Sequence, residues 1–190
     1  MRAVRFARVL TVQNDSMTVE LSLAEIRAVA AYAVACARPV LAIFEGECPA
    51  DGRPRAAIDA AQEFADGAKR TKALRDSAWA AHRAAQETRD SGQSAASDAA
   101  RSAGNTVGAA FLHPLAKATQ VKHILGSAAY AARAFELAAG GDPAVGAGHL
   151  ERARLLAGPV VVDVLRRYPA APGGGGRVGE LIRQLDASLR

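Results

Sequence analysis

The only tryptophan of the chain stands in a stripe of uncommon composition. Lys72, Arg75, Trp79, His82 and Gln86 follow one another at spacings of three, four, three and four, which places all five on one side of a helix. A tryptophan among two cations and an imidazole suits recognition, because tryptophan and arginine anchor protein–protein contacts more often than other side chains. The same pattern also suits a tryptophan at the edge of a core with long polar neighbours laid around it. A second polar group lies in the segment 111–130, which holds two of the four histidines and two of the four lysines around Pro114. There His113, Lys117, Gln120, Lys122 and His123 either line a groove where proline interrupts a helix, or satisfy locally the backbone groups that a proline frees. The candidate partner-binding residues are therefore Arg75, Trp79, His82, His113, Lys117 and His123.

Catalytic patterns are missing. No glutamate has a histidine three residues on, so the inward-facing pairs of a di-iron bundle are absent, and there is no His-Glu-x-x-His or Cys-x-x-Cys. His149 and Glu151 are two apart and point different ways on a helix. No Gly-x-Ser-x-Gly elbow occurs. Glu45, Glu47 and Asp51 cluster between helices, where they read as solvated groups or an acidic contact surface. Four glycines at 173–176 lack a following Gly-Lys-Ser/Thr and a preceding strand, so they do not form a phosphate loop. Cys36, among alanines, reads as a small buried hydrophobe, and Cys36 with Cys48 makes neither a disulfide framework nor a metal site. These residues imply a protein that is not an enzyme, without metal or cofactor, in the cytoplasm.

The elements that must carry these side chains are helices. Half of the 190 residues are apolar but only 5% are aromatic, and alanine makes up much of the difference, which favours helices packed closely. Ser22-Leu-Ala-Glu25 is a capping box that starts a helix running to about Arg38, with Leu23, Ile26, Ala30 and Val34 on its apolar face. Further helices are expected at Pro39–Glu45, from Pro54 to Gly67, from Lys69 to Asp90, from Ser94 to Phe111, from Ala116 to Ala139 (the longest), from Asp142-Pro143, from Pro159 to Tyr168, and from about Val178 to the end. Gly104 and Gly108 are spaced for close contact with a neighbour. In the 116–139 helix, Lys122, Arg133 and Glu136 fall off the apolar side. The fold class is all-α, about eight helices in an antiparallel bundle or irregular helical stack. Residues 17–190 form a single domain with a flexible Gly-rich linker at 172–176, and residues 1–16 are an N-terminal tail, or lie upstream of a natural start at Met17. No run approaches the roughly 18 consecutive apolar residues of a membrane span.

The net charge of +5 is uneven. Residues 17–66 carry eight carboxylates against four cations, and residues 67–190 carry seventeen cations against ten carboxylates. The basic part is diluted over several helices, so solvated faces explain most of it. A nucleic-acid-associated helical protein using this basic part is the alternative reading of function.

Several segments resemble the Imm5-like immunity proteins of bacterial polymorphic toxin systems. They are Leu21-Ser-Leu-Ala-Glu-Ile-Arg27, Ala35-Cys-Ala-Arg-Pro-Val-Leu41 leading to Phe44-Glu45, Arg53-Pro-Arg55, Ala80-Ala-His-Arg-Ala-Ala85 and His123-Ile-Leu-Gly-Ser-Ala-Ala-Tyr130. The resemblance implies a small cytosolic protein that binds and silences a cognate toxin domain by stoichiometric inhibition. It brings no catalytic residues to carry over.

Overall fold

The computed structural model describes residues 17–190, and the expected tail at 1–16 lies outside the described residues. Among these, nine α-helices follow in order: α1 Leu23–Ala37, α2 Leu41–Glu47, α3 Arg53–Ala65, α4 Lys72–Asp90, α5 Ser94–Ala110, α6 Val121–Ala138, α7 Pro143–Leu156, α8 Pro159–Arg166 and α9 Gly176–Leu189. A 3-10 turn at Arg38–Val40 joins α1 to α2, and counting that rod as one gives eight. No sheet forms among the described residues. The one extended pairing is an antiparallel bridge between Thr18 and Leu115.

Small residues decide the packing. α5 is alanine-, serine- and glycine-rich, and α1, α2, α3, α4 and α6 all pack against it. Its neighbours approach closely because most of its residues are alanine, glycine or serine. The hydroxyls buried in these contacts stitch helices together. Ser102 Oγ donates to the Ser127 carbonyl at 2.8 Å, Ser127 Oγ donates to the Ala33 carbonyl at 2.9 Å, and Ser97 Oγ donates to the Ala85 carbonyl at 2.7 Å. These bonds tie α5 to α6, α6 to α1 and α5 to α4, so no buried hydroxyl in the set is left unpaired. The rod Leu23–Glu47 is long and apolar enough to cross a membrane by length and composition, yet more than half of its apolar window is buried inside the bundle.

The capping box at Ser22 forms: Glu25 N donates to Ser22 Oγ, and Ser22 N donates to Glu25 Oε2 at 2.7 Å. Arg167, just past α8, also donates to Glu25. The Arg167 hydrogen bond, then those from Ser22, hold the Glu25 carboxyl at about 2. A carboxyl held below its ordinary value stabilises the fold above that value and stops doing so as pH falls. Glu25 should therefore contribute on the order of 1 kcal/mol, after solvent screening, above pH 4.5, and lose it between pH 4.5 and about 2. Urea unfolding of wild type and Glu25→Gln should differ at pH 7 and converge at the acid end. A constant difference would mean the pair is not what lowers the carboxyl.

Three expectations need correction. Leu23 is exposed rather than on the buried face of α1. The longest helix is α4, with 19 residues against 18 in α6. The helix expected from Ala116 begins as a 3-10 turn at Ala118–Gln120 and becomes α-helical at Val121. The chain spends Leu112–Lys117 pairing with Met17–Val19 instead: Ala116 N donates to the Met17 carbonyl and Val19 N to the Pro114 carbonyl. Glu136, which falls off the apolar side of its helix by spacing, is buried there, at 2% exposure. The reason is α9, which packs on that side of α6 and delivers Arg177 to the carboxylate. The glycine-rich stretch is folded back on α9: Arg183 Nη1 donates to the Gly174 carbonyl at 2.7 Å, and Ala171 N donates to Asp186 Oδ2 at 2.9 Å.

Candidate functional site

The stripe on α4 and the first turn of α6 face each other across α5. Between them runs a groove of about 440 Å³, lined by Arg75, Trp79 and His82 from α4, by Gly104, Asn105 and Gly108 from α5, with Phe111 beyond it, and by His123 from α6. Trp79 is 62% exposed. Of the two readings of the stripe, a tryptophan packed into a core edge does not fit that exposure.

Two glycines one turn apart seat the two imidazoles. A Cβ on Gly104 would lie 3.0 Å from His82 Cε1, and a Cβ on Gly108 would lie 3.2 Å from His123 Nδ1. The close neighbours anticipated for these glycines are thus histidine rings. Desolvation pushes the His82 pKa down, with the Arg101 charge adding to it, and desolvation pushes His123 down as well. Both shifts favour the neutral ring, able to donate from one nitrogen and accept at the other. Trp79 meets the His82 ring edge to face, with centroids 6.3 Å apart and planes at 65°. The Arg75 guanidinium lies 5.0 Å from the Phe111 ring centroid, a cation–π contact that holds the charge at the groove mouth.

Gly104→Ala should displace the His82 ring and return its pKa toward 6.5, while folding stability changes by no more than about 1 kcal/mol, helix propensity offsetting the crowding. Proton NMR titration of the imidazole checks it. An unchanged pKa would mean that the glycine seat does not set the ring's environment.

The groove gathers Arg75, Trp79, His82 and His123 and leaves out His113 and Lys117. His113 lies on the connector. Its N–H donates to Gln120 Oε1 at 3.0 Å, its Nδ1 accepts from Leu115 N at 3.2 Å, and its carbonyl accepts from Tyr168 Oη at 2.7 Å. Lys117 is exposed on the same connector. The clustered carboxylates are engaged as well: Glu45 accepts from Arg55, and Asp51 from Arg53, which also reaches Glu87.

None of the residues lining the groove carries a hydroxyl, thiol or carboxylate, so its imidazoles have no nucleophile or acid partner there. Among the described residues no group of three or more His, Cys, Asp or Glu converges as a metal site. The arrangement offers a flat aromatic surface, one cation and neutral hydrogen-bonding rings, which is binding chemistry.

The sequence reading missed the continuation of this groove. A second one, of about 340 Å³, lies between the far ends of the same three helices, with Gly175 and Val178 at the start of α9 closing its outer end. Arg89, Asp98, Arg101, Tyr130 and Arg133 line it. The available signal was the spacing of Ser94, Asp98, Arg101, Asn105 and Gly108 along α5, which shares one face. A separate apolar surface stands where α7 meets α8, with Leu155 70%, Leu156 53% and Val160 44% exposed.

Compared with known proteins, the chain matches the sequence profile of the family described as Imm-5 like putative immunity protein over residues 20–157. That span runs from the entry to α1 through α7 and includes both walls and the floor of the groove. No curated protein matches the chain, and no solved structure does.

Proposed function

The chain belongs to the Imm-5 like putative immunity protein family, and from that premise we propose that it neutralises a cognate toxin domain in the cytoplasm by binding it stoichiometrically through the Trp79 groove. The observation that carries the choice of surface is the exposed tryptophan. Trp79 stands in a groove whose floor is a close-packed helix and whose neighbouring rings are seated on glycine, so little ordering is needed on binding. Arg75, His82 and His123 supply polar contacts around it. Inhibition by occlusion requires such a surface and no catalytic group.

The test is growth rescue. A toxin-like domain encoded beside this chain in its source genome is expressed in a test bacterium with and without it. Rescue together with co-purification supports the reading, and failure with every adjacent toxin-like domain overturns it. The nucleic-acid alternative draws less support from the charges, since Lys72, Arg133, Arg154, Arg167, Arg177 and Arg190 are held in ion pairs.

A further inference from the structure

The two grooves lie end to end over α5 as one trough-like surface, the groove of Arg89, Asp98 and Arg101 at the N-terminal half of that helix and the Trp79 groove at its C-terminal half, and the charges along it describe its occupant. The outer stripe of α5, from Ser94 to Gly108, spans about 21 Å at 1.5 Å per residue. α4 supplies one wall with Arg75, Trp79, His82 and Arg89, recurring on a single helical face, and α6 supplies the other with His123, Tyr130 and Arg133. Arg101 joins the halves: it lines the second groove, and its charge also acts on His82 in the first. From this we infer that the trough over α5 is a docking surface for an acidic helical segment of the partner protein. The inference rests on the immunity reading for the identity of that partner as the toxin.

Charge complementarity carries the argument. Arg75, Arg89 and Arg101 make no ion pair among the described residues, whereas Arg133 is committed to Glu136. Against them, Asp98 is the single carboxylate among the residues lining the two grooves. Burial pushes its carboxyl up, while the charges of Arg101, Arg133 and Arg89 pull it back down. Three unpaired guanidiniums on one trough are matched by carboxylates from outside, each able to take a bidentate contact. A helix is the fitting shape, since a helix laid in a groove presents anchors on successive turns, and about fourteen residues cover the trough. A nucleic acid fits less well. Its evenly charged backbone would have to cross Asp98, about 6 Å from one end of the stripe, while a peptide can place a neutral residue there. Trp79, at one end, takes an apolar side chain.

The test uses the full chain and three fluorescein-labelled probes: a helical peptide of about sixteen residues with glutamates flanking central leucines, the same peptide with lysine for glutamate, and a short DNA duplex. Trp79 is the only tryptophan, so its emission reports occupancy directly. The glutamate peptide should bind roughly tenfold or more tighter than the lysine peptide and the duplex, and weaken roughly tenfold between about 0.02 and 0.2 M NaCl. Arg75→Glu and the pair Arg89→Glu with Arg101→Glu should each weaken it at least about fivefold. The milder Arg89→Gln with Arg101→Gln pair should do so by a smaller factor if the glutamate pair does not fold. Equal or tighter binding of the lysine peptide or the duplex would overturn the inference, as would indifference to the Arg89 and Arg101 changes. These outcomes separate from growth rescue. Rescue with a lysine preference leaves the immunity reading standing without the acidic partner, and a glutamate preference without rescue does the reverse.

Discussion

Replacing Arg133 and Arg177 together by alanine should destabilise the fold by about 3–5 kcal/mol. Glu136 is 2% exposed and accepts hydrogen bonds from Arg133 Nη1 on its own helix and from Arg177 Nε and Nη2, at 3.1 and 3.0 Å, on α9. The carboxylate sits over Gly146 of α7, where a Cβ would come within 2.5 Å of Glu136 Oε2. Removing both arginines would strand a charge between three helices. Glu136→Leu should cost far less, about 1 kcal/mol, because it removes the charge with its need for partners and leaves two arginines whose side chains still reach water. Urea midpoints with matched slopes check the order of the two variants. If Glu136→Leu proves the costlier, the triad contributes net stability and is more than a satisfied burial. Arg177 lies beyond the residues that match the family, 20–157, so α9 is joined to the family-matched region by this contact.

Trp79→Ala should weaken the proposed toxin complex by about 2–4 kcal/mol, roughly 30- to 1,000-fold, as expected of an exposed aromatic anchor. Because the side chain is 62% exposed in the free protein, folding stability should move by no more than about 0.5 kcal/mol. The two measurements together are diagnostic. Lost affinity with an intact midpoint identifies a contact residue. Unchanged affinity would move the interface elsewhere, the exposed Leu155, Leu156 and Val160 surface being the next place to probe. His123→Ala should weaken the complex less than Trp79→Ala, since its ring lies deeper and contributes less area.

The spacing of the α4 stripe revealed Arg75, Trp79 and His82 because a helix repeats its faces every three or four residues, and that repeat is local. It also paired Gly104 with Gly108. It could not say that the rings seated on those glycines are His82 and His123, which are 41 residues apart in sequence. His113 and Lys117 entered the candidate set by proximity to Pro114. They left the groove because the proline ends α5 and sends the connector to pair with Met17–Val19, a contact nearly a hundred residues distant in the chain.

The helices, their caps and most of their ends are properties of the sequence itself: Ser22 with Glu25, Asp142 before Pro143, and alanine throughout specify backbone conformation through neighbours a turn away. The family resemblance lies at the same level. Which helix faces are covered is another matter. Glu136 falls off the apolar side of α6 by spacing and is buried because α9 lands on it, and Leu23 looked like core and is exposed because no helix lands there. Arg89, Asp98 and Arg101 became the continuation of a trough only when α4 and α6 were laid along α5. Local hydrogen bonding fixes a helix, but burial and field at a side chain are set by whatever the rest of the chain brings against it, and only the tertiary structure decides that.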